Sequence, residues 1–342
     1  MKLEDFDYNL PTKLIAQTPS EQRDQARFLV YEKGVVKHQK FYDLVDILQV
    51  GDVLVLNDSK VFPARLHGAR VDTASSVEVF LLRDQGQGVW ECLIGHARTK
   101  AGLQIEFPQG LQAELVEQQE ERWLVRFNQT GEQFMNTINQ IGSTPTPPYI
   151  KTKDSEEIRE EYQTVYADKI GSVAAPTAGF HFTEELLAKL KVKGVQIEYV
   201  TLHVGLGTFA LVKVDNIKEH KMHSEYYQVD QDVWQRIKKA KEEKRRVVSV
   251  GTTATRVLES VAREEELQGW TNIFIYPGFE YKVVDSLITN FHLPKSTLLM
   301  LVAALLENKG SKDGIKELKK IYQEAIDKEY RFYSFGDAMM IV

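Results

Sequence analysis

Cysteine is nearly absent from this chain: its 342 residues include one, Cys92. A lone thiol closes no internal disulfide, and its apolar setting, Val89-Trp90-Glu91-Cys92-Leu93-Ile94, marks it as core filler. A reducing compartment fits, so a cytoplasmic location is expected. Long apolar runs are missing too. The longest, Leu298 to Leu306, has nine residues, whereas a membrane span needs ~20. It reads as a buried helix, with no membrane partner expected. The segment Met1 to Leu10 has neither the basic stretch nor the apolar run of a secretory signal. No Gly-x4-Gly-Lys-Ser/Thr phosphate loop occurs. His220-x2-His223-x-Glu225 fits no standard zinc spacing, so no metal is expected. Positive charge is not in excess: the formal net charge is −6. That total lends nucleic-acid binding no support, but a local basic face is what phosphate contacts need.

What is present points to two domains, at a prior of ~150 residues each. Two proline-marked sites, Pro63 and Ser143-Thr144-Pro145-Thr146-Pro147-Pro148, suit stiff linkers. Between them lie short β-prone runs: Val77 to Leu82, Val89 to Ile94, Leu103 to Phe107, Leu111 to Val116 and Arg122 to Phe127. Gly86, Gly88, Gly102 and Gly110 punctuate them, a spacing that predicts a small antiparallel barrel or sandwich. Glu132 to Ile141 reads as a helix. Outside the linkers, apolar strands alternate with helices. Strands are predicted at Val53 to Leu56, Val195 to Leu202, Val247 to Val250 and Ile273 to Tyr276. Helices are predicted from Thr183, across Val233 to Ala240, across Ala254 to Ala262, around Leu298 to Leu306 and from Ile315 to Ile326. Thr183 is an N-cap type, with Glu184 and Glu185 in the first turn. The expected fold is α/β: a mostly parallel sheet with helices on both faces, residues 1–62 and 150–342, interrupted by an inserted barrel, residues 63–149.

In such sheets ligands bind outside the carboxyl ends of the strands. The predicted strands end in Asn57-Asp58-Ser59, in Thr201 to Thr208, in Gly251-Thr252-Thr253 and in Tyr276-Pro277-Gly278, while Ala174 to His181 leads into a helix start. These groups are expected to converge on one cleft. Val250-Gly251-Thr252-Thr253-Ala254-Thr255-Arg256 reads as strand, tight turn and helix N-terminus: an ordinary cap, or a seat for a carboxylate or phosphate with Arg256 as a fixed fork. Gly205-Leu206-Gly207-Thr208 reads as a turn, or as a loop that admits close backbone approach. Four of the eight histidines, His181, His203, His223 and His292, lie in dense motifs; each is either structural or a proton carrier. The run Lys238 to Arg246 holds six basic residues and two acids. It is a solvated helix face, or an RNA phosphate track through Lys238, Lys241 and Arg245. Tyr330 to Asp337 alternates aromatic and polar groups, as core packing or as a base-stacking platform that includes Arg331.

Longer motifs carry a resemblance. Phe6-Asp7-Tyr8-x-Leu10-Pro11, Leu14-Ile15-Ala16-Gln17-x-Pro19 and Gly51-Asp52-x-Leu54-Val55-x-Asn57-Asp58 open it. Pro63-Ala64-Arg65-Leu66 and Pro147-Pro148-Tyr149-Ile150 bracket the insert. Gly171-Ser172-Val173-Ala174-Ala175-Pro176-Thr177-Ala178-Gly179, Thr201-Leu202-His203-Val204-Gly205-x-Gly207-Thr208-Phe209, Thr289-Asn290-Phe291-His292-Leu293-Pro294 and Tyr330-Arg331-Phe332-Tyr333-Ser334-x-Gly336-Asp337 complete it. From end to end the chain resembles the S-adenosylmethionine:tRNA ribosyltransferase-isomerases of queuosine biosynthesis. It departs from them at Ser59, where threonine is expected, and at Phe279, where tyrosine is expected. The insert matches chiefly at its ends.

The resemblance implies S-adenosylmethionine as ribosyl-donor co-substrate, with no redox cofactor. The acceptor is a tRNA bearing 7-aminomethyl-7-deazaguanine at the wobble position. The product is epoxyqueuosine, with adenine and methionine released. It also implies a monomer without an obligate protein partner. The sulfonium acidifies the adjoining ribose carbon, so a base is needed there, and adenine leaves better when protonated. His203 and His181 are the first candidates for these roles, then His292 and His223. Asp58 suits ribose hydroxyls or the aminomethyl cation, and Thr252, Thr253 and Arg256 suit the methionine carboxylate. Thr177, Gly179, Gly205, Gly207, Thr208, Gly251, Tyr276 and Arg331 complete the expected binding set. Two other readings stay open on the residues alone: a metal-dependent phosphoester hydrolase and a non-catalytic RNA-binding module.

Overall fold

The computed structural model describes residues 1–95, 99–145, 156–205 and 212–342. The central strand Val53–Asn57 is buried along its whole length. Its side chains alternate between faces, as a strand requires. Leu54 and Leu56 pack with Phe182 and with Leu186 and Leu190 of the helix Glu184–Lys193 on one face. Val53 and Val55 pack with Ala254, Val257, Leu258 and Val261 of the helix Gly251–Glu264 on the other. Helices therefore cover both faces. The Thr183 hydroxyl accepts from Leu186 N at 3.1 Å and caps the first of these helices.

Val53–Asn57 is flanked in parallel by Gln196–Leu202 and by Val247–Val250, which in turn pairs in parallel with Ser286–Asn290. Antiparallel neighbours extend both edges. Glu225–Gln228 and Gln268–Thr271 lie beyond Gln196–Leu202. Ala338–Ile341 lies beyond Ser286–Asn290, followed by Arg27–Glu32 in parallel and Val35–Lys40. The nine-stranded sheet is mixed, with its parallel character concentrated at the centre.

One predicted strand is corrected. Ile273 to Tyr276 is not a strand; the chain there lies irregularly against the apolar cluster built on the helix Thr297–Asn308. A short apolar run reports burial without distinguishing a strand from a packed loop. The core strand is Ser286–Asn290, which hides Ser286, Thr289 and Asn290 in the interior and so lacks an apolar signature.

After Val53–Asn57 the chain forms Ser59–Val61 and then a closed six-stranded barrel. Its strands, Arg65–Arg70, Ser76–Gly86, Val89–Gly95, Gln104–Glu106, Gln112–Gln119 and Arg122–Phe127, pair antiparallel throughout. Alternate residues, among them Val77, Val79, Leu81, Ile105, Leu115, Trp123 and Val125, fill it together with Phe134 and Ile138 of the helix Gly131–Ile141. Cys92 sits in this core, and burial pushes its thiol up, so it is inert filler. The chain returns at Lys169–Ser172, which pairs in parallel with Ser59–Val61. Among the described residues, no helix is long and apolar enough to cross a membrane.

Candidate active site

The carboxyl ends of the central strands open onto adjoining depressions. The first, about 590 Å³, is lined by Thr177, Gly251, Thr252, Asn290, His292 and Tyr333. The second, about 1960 Å³, runs between barrel and sheet and is lined by Trp90, Arg122, His203, His223, Tyr226 and Trp270. Val204, just past the end of Gln196–Leu202, belongs to both. A third groove, about 1050 Å³, holds Asp58, Lys169, Tyr199 and Thr201.

His203 is the best-placed ring. Its Nδ1 lies 2.7 Å from the Ser59 hydroxyl, and its plane is tilted 20° from Tyr226, with centroids 6.0 Å apart. Tyr226 in turn meets Trp270 at 5.6 Å, and the guanidinium of Arg83 on the barrel covers Trp270 at 3.9 Å. Barrel and sheet thus share the wall of the wide cleft. Burial depresses the His203 pKa, keeping the ring neutral. The backbone of Gly171 lies against the ring; a Cβ there would stand 2.6 Å from its atoms. Gly171→Ala is therefore expected to push the ring off Ser59 and lower kcat on the order of ten-fold, and, because Gly171 holds φ +156°, to lower the melting temperature as well. Parallel assays of turnover and thermal unfolding check this.

The narrower cleft is framed by a helix N-terminus. Gly251 takes φ +82°, which lets the chain turn from strand to helix, and no side chain caps this helix. The Thr253 hydroxyl is buried and has no hydrogen-bond partner among the described residues. Opposite, the Thr177 hydroxyl donates to Asn290 Oδ1 at 2.9 Å, and Asn290 Nδ2 donates to His181 Nε2 at 3.3 Å.

His181 and His292 are both 5% exposed. Burial lowers His181 to about 4 and His292 to about 3. His181 also makes a backbone hydrogen bond to Arg23 and packs on Phe41 at 5.0 Å, while His292 Nε2 meets the Thr289 hydroxyl at 2.9 Å. His181 is held as a neutral structural ring. Below the ordinary value of 6.5 the unfolded chain takes up protons that these folded rings refuse. Stability is therefore full above that pH and falls as pH drops towards 4 and then 3. Denaturant midpoints are expected to decline from pH 6.5 downward, and His181→Gln to flatten the upper part of that decline.

Other sequence candidates are placed differently from expectation. His223 is exposed at the rim of the wide cleft. Asp58 turns into the third groove, where it accepts from the Thr201 hydroxyl at 2.7 Å; burial raises its pKa. Arg256 is not free to seat a carboxylate, because its guanidinium is in a buried ion pair with Glu225. Gly179 is buried, and a Cβ there would collide with the Tyr166 hydroxyl, so its role is packing. Tyr276 packs on Phe274 with the rings tilted by 51° and lies outside both clefts. Arg331 donates to the Ser20 hydroxyl at 3.3 Å and to the Thr18 carbonyl, tying the N-terminal segment to the core. Gly205 N donates to Glu225 Oε1 at 3.0 Å, whereas Gly207 and Thr208 lie outside the described residues.

The basic run Lys238 to Arg246 begins in the helix Gln231–Glu242 and continues past its end. Lys238 is exposed. Lys241, however, pairs with Asp285 at 2.6 Å, and Arg245 donates to Gly51 O at 3.0 Å and Gln196 Oε1 at 2.9 Å. Those partners stand where the parallel strands begin, at the end opposite the clefts. Lys241→Glu with Arg245→Glu is expected to lower the melting temperature and leave the salt slope of tRNA binding unchanged. Missed by sequence reasoning were Ser172, Tyr226 and Trp270. Each is contributed by an edge or auxiliary strand, where no periodic signal marks a cleft.

Comparisons with known proteins agree over the whole chain. A family model described as Queuosine biosynthesis protein matches residues 3–341. The S-adenosylmethionine:tRNA ribosyltransferase-isomerase of Desulfitobacterium hafniense is 52% identical, across 100% of both chains. That of Sulfurihydrogenibium sp. is 47% identical, again across 100% of both. Among solved structures, the S-adenosylmethionine tRNA ribosyltransferase of Thermotoga maritima is 36% identical with a TM-score of 0.56, covering 99% of this chain and 100% of that one.

Proposed function

The chain belongs to the queuosine biosynthesis protein family, and from that premise we propose how its clefts serve the reaction. It is an enzyme that transfers the ribosyl group of S-adenosylmethionine to tRNA and isomerises it. The acceptor in this reading is 7-aminomethyl-7-deazaguanine at the wobble position, the product is epoxyqueuosine, and adenine and methionine depart. The protein acts as a cytoplasmic monomer. Its discontinuous core spans 1–62 and 150–342, and its insert spans 63–149.

The observation that carries the reading is the pair of depressions joined at Val204. The narrow one offers the uncapped amides of Gly251 and Thr252 and the buried Thr253 hydroxyl. A helix N-terminus of this kind suits the methionine carboxylate, with Thr177 near the amino-acid end. The wide one has room for a base taken out of the RNA stack, as chemistry on a paired or stacked base demands. His203 stands at the junction, where the ribose must lie for its carbon to reach the aminomethyl nitrogen. Asp58, across the strand in its own groove, is the residue offered to a cationic or hydroxyl group approaching from that side.

The chemistry follows from the sulfonium. Its charge acidifies the neighbouring ribose carbon; loss of that proton forms a carbon–carbon double bond and breaks the adjacent ring carbon–oxygen bond. The freed oxygen becomes a carbonyl at the anomeric carbon as adenine leaves with a proton, and methionine later departs as a neutral thioether. Purified protein, S-adenosylmethionine and precursor-bearing tRNA should release free adenine. Absence of adenine, or its release without the tRNA, would sink the reading. Release that persists after exhaustive chelation would set aside the metal-dependent hydrolase.

A further inference from the structure

We infer that Ser59 and Ser172 hold His203 in the neutral form that carries its proton on Nε2, so that the ring meets the substrate as a hydrogen-bond donor. The inference deepens the function proposed above in naming what the ring serves; the protonation form itself rests on geometry alone.

Three contacts form one chain. Val204 N donates to Ser172 Oγ at 2.8 Å, Ser172 Oγ and Ser59 Oγ are 2.7 Å apart, and Ser59 Oγ is 2.7 Å from His203 Nδ1. Both serines are fully buried. The two serines lie on paired strands, Ser59 opposite Lys169 and Ser172 opposite Val61, and a register shift between Ile170 and Ser172 accompanies the contact of their hydroxyls.

Two hydroxyl protons must be placed. In one order Ser172 donates to Ser59, and Ser59 donates to Nδ1. Every donor then has an acceptor, Nδ1 is bare, and the ring proton sits on Nε2. In the reverse order Nδ1–H donates to Ser59, and Ser59 donates to Ser172. The Ser172 oxygen then receives two donors, Val204 N–H included, and its own proton finds no acceptor among the described residues. A buried donor left unmade is costly, so the first order prevails. The same count disfavours imidazolium, whose Nδ1–H would force the reverse order. Burial of the ring acts in the same direction.

His203 Nε2–H is thus suited to a substrate lone pair, either a ring nitrogen of the departing adenine or a ribose oxygen. Proton removal beside the sulfonium falls to another group. Ser59 and Ser172 are positioning residues acting through His203.

The test is long-range ¹H–¹⁵N correlation on the full chain with ¹⁵N-labelled histidine, His203 being assigned by its loss in His203→Gln. The expected pattern at neutral pH has a bare Nδ1 and a protonated Nε2; a protonated Nδ1 would overturn the inference. Ser59→Ala is expected to mix the two forms and lower kcat on the order of ten-fold, with KM for S-adenosylmethionine little changed. Ser59→Thr, which keeps the hydroxyl, should restore the wild-type pattern even if Ser59→Ala folds poorly. An unchanged pattern in a folded Ser59→Ala would also overturn it. If the wild-type protein releases no adenine but shows the expected pattern, the proposed function fails and the protonation form stands. Adenine release with the opposite pattern keeps the function and overturns the protonation form.

Discussion

Replacing His203 by Ala is expected to lower kcat by about 10²–10³ while the fold persists, the size of effect seen when one preorganised donor is removed from an active site. The ring lies on a cleft wall, partly exposed, and its side chain is hydrogen-bonded to Ser59. Its loss leaves the sheet hydrogen bonds untouched, because the backbone N–H of His203 donates to Tyr226 O at 2.9 Å whatever the side chain. Single-turnover release of adenine from S-adenosylmethionine bound to the enzyme–tRNA complex is the measurement. Wild-type rates in a folded variant would take His203 out of the mechanism. The contrast with His181 sharpens the test. That ring is sealed between Asn290, the Arg23 backbone and Phe41, so its replacement should move stability more than turnover.

Arg256→Met is expected to destabilise the protein by about 3–5 kcal/mol, the range for breaking a buried ion pair by removing one partner. Arg256 and Glu225 side chains are 8% and 6% exposed, so solvent screens neither. The arginine also donates to the carbonyls of Thr271 and Ile273 at 3.4 Å, while the other carboxylate oxygen of Glu225 holds Gly205 N. One pair therefore links the helix Gly251–Glu264, the edge strand Gln268–Thr271 and the loop beside His203. Removing the cation leaves a largely buried carboxylate facing a thioether at the wall of the wide cleft. Arg256→Met combined with Glu225→Gln should recover much of the loss, since the desolvated charge is then gone as well. Denaturant midpoints for the single and double variants decide it. A seat for the methionine carboxylate would behave otherwise: Arg256→Met would raise KM for S-adenosylmethionine at unchanged stability.

The elements legible in the sequence are those whose own side chains dictate them. The alternation in Val53–Asn57, the Thr183 cap and the apolar stripe of Ala254, Val257, Leu258 and Val261 state their conformations locally, and the structure keeps all of them. The short glycine-punctuated strands imply a barrel in the same way, because period and turn chemistry are properties of neighbouring residues. Local pattern reports that a residue is buried without saying by what. Ile273 to Tyr276 is apolar because it packs on a helix, and Ser286–Asn290 is a core strand despite its hydroxyls and amide.

The site depends on the same missing information. Arg256 finds Glu225 at a separation of 31 positions, Lys241 finds Asp285 at 44, and Ser59 finds His203 at 144. Composition and motif determine that this chain has an α/β core, an inserted barrel, a non-redox thiol and polar strand tips. Which of those tips meet in a cleft, which charges are already spent on one another and which histidine faces solvent are decided only when distant strands take their register. Pairing across a sheet is a contact between segments far apart in the chain, and no window of sequence contains both halves of it.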